Sequence, residues 1–176
     1  MTDTPPALTL TTTRDDHRIA WLSALAIAVH ILETALPSPL PGVKPGLANV
    51  ITVLVLVSLG WRAALWVTAL RVLAGSLVIG TFLSPTFWLS AAGAACSLLA
   101  LGAAHRLAGR ALSPLGLSVL AALAHMQGQF LLAWLVLIPH PALLTLLPVL
   151  LSFALIFGLL SGTMASMMHQ RLLPLR

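Results

Sequence analysis

Residues 36–52 read LPSPLPGVKPGLANVIT and lie between two long apolar segments. The stretch contains four prolines and two glycines, a composition that a soluble protein uses for a surface linker. Here, however, it runs directly into apolar sequence. Irregular backbone at membrane depth is tolerated only where it is buried in protein or lines a cavity. The stretch is therefore either a plain connection or a shaped loop that dips inward and forms the lid or wall of a site.

The overall composition indicates that the solvent of this chain is lipid. Of its 176 residues, 59% are hydrophobic and 7% are charged, whereas soluble domains carry about 25% charged residues. The length predicts a single membrane domain. The formal charge of +5 comes from basic residues that stand singly between apolar segments. No basic patch is available for phosphates, so nucleic acid is not an expected partner.

The apolar segments predict an all-α fold with six transmembrane helices, because about 20 apolar residues cross the hydrocarbon. Residues 1–17 form a polar tail that we expect to be disordered, and residues 18–172 form the membrane domain. The first apolar segment follows RDDHR. These acids and the length of the segment favour a retained helix over a signal peptide. The predicted helices cover residues 18–36, 46–59, 63–80, 86–107, 115–138 and 144–169.

The distribution of basic residues predicts the orientation. With the N-terminus inside, the only basic residue in an outer loop is Lys44, and Arg71 falls within the third helix. Such a bias follows the positive-inside rule. We therefore expect a multi-pass protein of the inner membrane, surrounded by lipid, with both termini in the cytosol. The remaining arginines all fall in cytosolic segments: Arg14, Arg18, Arg62, Arg106, Arg110, Arg171 and Arg176.

Two charged residues are predicted to lie within the membrane region. Glu33 stands near the outer end of the first helix, and Arg71 lies near the middle of the third. An unpaired charge at the bilayer centre costs about 2.5–3.5 kcal/mol on insertion scales. Either the two residues form an ion pair that pins the helices together, or Arg71 or Lys44 receives an anionic or carbonyl-rich solute. Both can hold, because a binding site often keeps its charges paired when it is empty.

Further polar side chains support a buried site but leave its purpose open. His125 and Gln129 are four residues apart in the fifth helix and share a face, whereas Gln127 points elsewhere. Hydrogen bonds between helices explain them as well as contacts with a ligand do. Asn49, early in the second helix, either braces the proline-rich loop or reaches a solute.

Small residues mark positions of close helix packing. Gly75, Ser90, Gly93, Ser97, Gly158 and Gly162 are expected to pack inside the bundle. Ala20, Ala24 and Ala28 form a stripe on the first helix that either packs internally or contacts another protein. Cys96 is alone, and no two histidines are four residues apart. Neither a disulfide nor a metal site is predicted.

Three segments resemble the Gx transporter family, also described as heptaprenyl diphosphate synthase component I and related to the substrate-binding S components of energy-coupling-factor transporters. They are LPSPLPGVKPGLANVITVLVL, RVLAGSLVIGTFLSPTFWLSAAGAACS and AHMQGQFLLAWLVL. The resemblance covers most of residues 33–162, with Pro45 where the family usually has an apolar residue. It implies a six-helix bundle that binds a small, vitamin- or flavin-like solute. It also implies that Ala20, Ala24 and Ala28 dock a transmembrane coupling subunit that works with ATPases.

The residues argue against catalysis by this chain alone. A prenyl diphosphate synthase binds Mg²⁺–diphosphate through aspartate-rich motifs, but all three aspartates, Asp3, Asp15 and Asp16, lie in the polar tail. No Walker motif is present, so ATP hydrolysis would require another subunit. The sequence thus predicts no enzymatic activity and no cofactor. It predicts a solute-binding subunit whose site comprises Glu33, Lys44, Asn49, Arg71, His125 and Gln129. The alternative is a non-catalytic membrane subunit of a redox or prenyl-quinone complex.

Overall fold

The computed structural model describes residues 13–35, 48–108 and 112–172. Within these ranges the ordered backbone is helical and contains no strand, which confirms the all-α prediction for the described part of the chain. The proline-rich loop lies outside the described residues, so its interpretation as a lid stays a prediction. Six α-helices are formed: α1 (Arg14–Ala35), α2 (Ala48–Leu59), α3 (Trp61–Ile79), α4 (Pro85–Ala108), α5 (Pro114–Leu132) and α6 (Leu147–Leu172).

Helix α1 begins four residues earlier than the predicted start at residue 18, because a local capping arrangement starts it. Thr13 donates from its amide and its hydroxyl to Asp16 at 2.8 and 2.7 Å, and the amide of Asp16 donates back to the Thr13 hydroxyl. This reciprocal pattern is that of a capping box. The bonds from the backbone and side chain of Thr13 lower the pKa of Asp16 below its ordinary value. Residues 13–17 are therefore ordered, and residues 1–12 lie outside the described part.

Helix α2 is the centre of the bundle. Residues 49–56 are all buried, and the helix packs against α1, α3, α5 and α6. A helix that is apolar on every face is expected to be enclosed. Its 12 residues rise only about 18 Å, less than the hydrocarbon thickness of about 30 Å. Helix α2 therefore places its first turn, including Asn49, inside the protein.

Two glycines shape the connections of α3. Gly60 alone links α2 to α3 with a φ of 89°, and Gly80 ends α3 in the left-handed conformation with a φ of 76°. A side chain is strained in this region of φ. At Gly80 the amide of Thr81 returns to the Ser76 carbonyl at 2.8 Å, as in a Schellman motif.

Helices α4, α5 and α6 pack side by side, and glycines allow two of the contacts. A Cβ atom added at Gly162 would lie 2.8 Å from the Cα atom of Leu115, and one added at Gly128 would lie 2.7 Å from the Ala92 carbonyl oxygen. Helix α5 continues through a π-helical turn, Ala133–Leu137, and a 3₁₀ turn, Pro141–Leu146, leads into α6. Small residues thus bring these helices close, as predicted for Gly158 and Gly162.

Among the described residues, four segments are long and apolar enough to cross a membrane. They are Trp61–Ile79, Pro85–Leu107, Pro114–Leu137 and Pro141–Gln170. Helix α2 is too short to count by itself, and α1 is not among the four segments. The six helices are present, but the count of six crossings stays a prediction.

The two ends of the bundle differ in charge. Arg14, Arg18, Arg62 and Arg106 are exposed at the end where α1 and α3 begin and α4 finishes. We call this the basic end. At the opposite end α1 finishes, α2 begins and the turn between α3 and α4 is found. Glu33 and Asn49 lie toward this opposite end.

Candidate functional site

A small polar cavity lies between α1, α2, α3, α4 and α5. Its volume is about 20 Å³, enough for about one water-sized group. Five of the six predicted binding residues line it, namely Glu33, Asn49, Arg71, His125 and Gln129, while Lys44 lies outside the described residues. Three further described residues line it: His30, Val72 and Ser90.

Arg71 is buried in the wall of this cavity. It stands ten residues after Trp61 and eight before Ile79, about 15 and 12 Å along the axis of α3, hence near mid-depth. Its side chain is 5% exposed. One Nη donates to Oδ1 of Asn49 at 3.5 Å, a long hydrogen bond. The guanidinium thus faces the cavity, and Arg71 is too far from either end of α3 for its side chain to reach water along that helix.

The acidic partner of Arg71 is Glu33 on α1. Glu33 is 4% exposed, lines the same cavity and attracts Arg71 through a Coulomb interaction. Nε of Arg71, in contrast, is buried and has no hydrogen-bond acceptor among the described residues. A buried donor without an acceptor is costly in a low-dielectric interior. In this site the charge of Glu33 on α1 balances the charge of Arg71 on α3, while the Nε donor of Arg71 has no acceptor among the described residues.

A second polar contact continues the α2–α3 interface toward the basic end. The hydroxyl oxygens of Thr52 and Thr68 are 3.2 Å apart, and both residues are 2% exposed. Thr52 follows Asn49 by three residues and Thr68 precedes Arg71 by three, so the two contacts are one helical turn apart. Sequence inspection missed this pair because threonine in an apolar helix commonly bonds to its own backbone.

Two glycines provide the space for the polar side chains. A Cβ atom at Gly93 would lie 2.8 Å from Cγ of Gln129 and 2.9 Å from Nε2 of His125. A Cβ atom at Gly75 would lie 2.9 Å from Cδ2 of His30. Both glycines were expected to pack inside the bundle, and both are buried there, each against a side chain of the cavity wall.

His30 and Ser90 were not predicted as site residues. His30 precedes Glu33 by three residues on the same face of α1, and this spacing is the signal that could have identified it. Ser90 was interpreted as a packing residue, since serine in a small-residue stripe is ambiguous. Gln127 is exposed and does not line the cavity, as predicted from its position on α5.

The alanine stripe of α1 lies on the face opposite the cavity. Ala20, Ala24 and Ala28 are exposed, and Trp21 beside them is 79% exposed. The buried face of α1 instead carries Ser23, Ala26 and Glu33. Within the described residues the stripe is an outer surface, so its alternative interpretation as internal packing is wrong for this chain.

An apolar groove of about 370 Å³ lies at the opposite end, outside α4 and α5. It is separate from the polar cavity, and none of the described residues that line it is charged. In the described part of the chain, no group of three or more His, Cys, Asp or Glu residues is placed to hold a metal ion. The groove is lined by Leu83, Pro85, Trp88, Leu132, Val136 and Leu137.

These features define the class: an α-helical membrane protein whose apolar helices enclose a polar cavity. The sequence profile of the family described as Heptaprenyl diphosphate synthase component I matches residues 22–168. The chain belongs to this family, as its motifs predicted. No curated protein and no solved structure matches the chain.

Proposed function

We propose that the protein binds a small solute in the polar cavity and acts as the substrate-specificity subunit of an uptake system. The observation that carries this proposal is the buried guanidinium of Arg71 facing a cavity that also contains Glu33, Asn49 and His125. Ionisable groups within a membrane bundle mark a solute or ion pathway by default, because burying them is costly. Gly93 makes room for His125 and Gln129 in this polar wall, and Gly75 makes room for His30.

A purely structural role for Glu33 and Arg71 explains less of the arrangement. An ion pair that only pins α1 to α3 requires neither a surrounding ring of polar side chains nor a cavity. Nε of Arg71 also has no acceptor among the described residues. A bound solute with an acceptor atom supplies the missing hydrogen bond.

Binding requires the cavity to enlarge. Sites for vitamin-sized solutes typically measure about 300–1,000 Å³, whereas this cavity measures about 20 Å³. We therefore assign the structure to a closed form of the site. The solute would enter from the opposite end, where α1 finishes and α2 begins, and the proline-rich loop with Lys44 would act as its lid.

The exposed alanine stripe is the proposed docking surface for a transmembrane coupling subunit. Small side chains let a partner helix approach closely within lipid. The chain has no Walker motif, so ATPases joined to that subunit would supply the energy. In the cell the protein would lie in the inner membrane with both termini in the cytosol.

The family description includes a synthase, but we propose no catalysis for this chain. None of its three aspartates lies beyond residue 16, and Glu33 is the single carboxylate near the cavity among the described residues. A diphosphate-bound Mg²⁺ requires several oxygen ligands. The word component in the description is also consistent with a subunit that acts beside another protein.

The apolar groove favours a second candidate function. Its volume of about 370 Å³ and its apolar walls suit an isoprenoid or lipid chain. The protein would then be a non-catalytic membrane subunit of a redox or prenyl-quinone complex. The alanine stripe would in that case be a permanent interface.

Mass spectrometry of small molecules released from gently purified protein tests both candidates. Wild type is compared with Arg71→Ala and with Arg62→Ala, which removes an exposed arginine of the same helix as a control. A water-soluble compound present in wild type and Arg62→Ala, but absent from folded Arg71→Ala, would support the binding subunit. Lipid or quinone alone, in equal amounts in all three proteins, would favour the second function.

A further inference from the structure

Among the described residues that line the polar cavity, one is a carboxylic acid and one is an arginine. Glu33 and Arg71 both line it and are 4% and 5% exposed. The other ionisable lining residues are His30 and His125. With the two imidazoles neutral, the formal charges of these described residues cancel. The walls that they form thus present a solute with two buried charges but no net charge.

Net charge decides which solutes such a site accepts. A simple anion gains the attraction of Arg71 but is repelled by Glu33, and a simple cation meets the reverse. In either case the occupied cavity carries one uncompensated charge, which is expensive inside a membrane protein. A neutral solute leaves the charges of Glu33 and Arg71 balanced.

The hydrogen-bonding groups of the lining add a second requirement. Nε of Arg71 is a buried donor without an acceptor among the described residues. The carboxylate of Glu33 is acceptor-only when ionised. Asn49 and Gln129 each carry one acceptor and two donors on the amide. A solute that fits offers an acceptor to Arg71 and, beside it, a donor to Glu33.

We propose, resting on the function proposed above, that the cavity selects a neutral solute through a planar edge with adjacent acceptor and donor, as in an amide, ureide or imide. A zwitterion also has no net charge, but both of its charges must lose water on entry, which costs more than desolvating a neutral edge. The edge lies between α1 and α3, with the carbonyl toward Arg71 and the N–H toward Glu33.

Three small probes of the same planar shape test this selectivity: acetamide, acetate and acetamidinium. Each probe carries one methyl group, whose signal is observed by saturation-transfer difference NMR. The binding of the three probes to the protein in nanodiscs is therefore compared through the same type of signal. At about pH 8 ordinary imidazoles are neutral. In wild type we expect acetamide to bind on the order of tenfold more tightly than either ion. Arg71→Ala should lose this binding, and Arg62→Ala should keep it.

A change of site charge gives the sharper result. Glu33→Gln keeps the shape of the side chain but leaves the cavity with one net positive charge. Acetate should then bind more tightly than acetamide, which inverts the order seen in wild type. Size-exclusion chromatography and helical circular dichroism identify the folded variants. Glu33→Gln combined with Arg71→Gln restores a neutral cavity and should again prefer acetamide over acetate.

The outcomes separate this inference from the proposed function. If acetate or acetamidinium binds most tightly to wild type, or if no probe binds, the inference is wrong. An order of binding that Glu33→Gln leaves unchanged would also overturn it. The proposed function survives each of these results when mass spectrometry finds a soluble compound that Arg71→Ala loses. It fails when only lipid or quinone is found.

Discussion

At the scale of single residues, the site depends on how a bilayer treats polar atoms. Arg71 cannot reach water easily from near mid-depth, so its charge must be balanced inside the protein. Glu33 supplies the opposite charge, and Asn49 supplies an acceptor at 3.5 Å. Each polar side chain lowers the cost of burying the others, which explains why they gather around one cavity.

Gly93 is the residue whose change should separate binding from stability. An added methyl group would lie 2.8 Å from Cγ of Gln129 and 2.9 Å from Nε2 of His125. Overpacking costs about 1–3 kcal/mol, and the higher helix propensity of alanine offsets about 1 kcal/mol of this. Gly93→Ala should therefore unfold near the wild-type temperature but retain less of the co-purified solute, measured by mass spectrometry.

Gly116→Ala is the matched control for this change. An added Cβ atom there meets only ordinary contacts, the nearest being Oγ of Ser113 at 3.6 Å. This control should keep the solute. Full retention of the solute by Gly93→Ala would show that His125 and Gln129 do not contact it.

At the scale of helices, close packing depends on backbone approach rather than on large side chains. Helix α5 contacts both α4 and α6, and three glycines at these contacts face neighbouring backbone or short side chains: Gly128, Gly158 and Gly162. Without a hydrophobic driving force between helices in lipid, such contacts supply much of the packing energy. Helix α2 differs, because enclosure by four neighbours holds it in place.

Gly162→Ala should destabilise the bundle. The added methyl group would lie 2.8 Å from Cα and 3.1 Å from the carbonyl oxygen of Leu115, which are backbone atoms that cannot rotate away. Overpacking against fixed backbone costs toward the upper end of about 1–3 kcal/mol, which exceeds the gain of about 1 kcal/mol in helix propensity, so the midpoint of thermal unfolding in detergent should fall. Gly116→Ala should unfold at or above the wild-type midpoint. Equal midpoints for the two variants would contradict the α5–α6 contact described here.

At the scale of the whole molecule, the exposed surface of the described residues is largely apolar, and their exposed charged side chains lie at one end. Leu99 and Leu107 on α4 are 71% and 89% exposed, as expected for a surface that faces lipid. The exposed arginines of the basic end predict that this end lies in the cytosol. The polar cavity then lies in the outer half of the membrane.

Labelling with a membrane-impermeant maleimide tests this orientation. Phe82→Cys and Leu112→Cys place an exposed thiol at opposite ends of α4 and α5, in a Cys96→Ala background that removes the single native cysteine. On intact cells Phe82→Cys should be labelled, and Leu112→Cys should be labelled only after permeabilisation. Cys96→Ala alone is the unlabelled control. Labelling of Leu112→Cys from outside would reverse the predicted topology.

The helices and most of the candidate site could be predicted from local sequence. The lengths of the apolar segments placed most helix bounds within a few residues, because a bilayer requires long apolar segments with satisfied backbones. Charged and amide side chains inside those segments were conspicuous for the same reason. Glu33, Arg71 and His125 were identified in this way.

Which faces meet was decided only by the tertiary structure. His30 and Ser90 line the cavity, and Gly75 and Gly93 make room for its side chains, because the rotation of each helix depends on the shapes of its neighbours. The pairing of Thr52 with Thr68 arose in the same way. Burial cost is a property of single residues and can be read along the chain. The position of a cavity depends on how helix surfaces fit together, which no single segment contains.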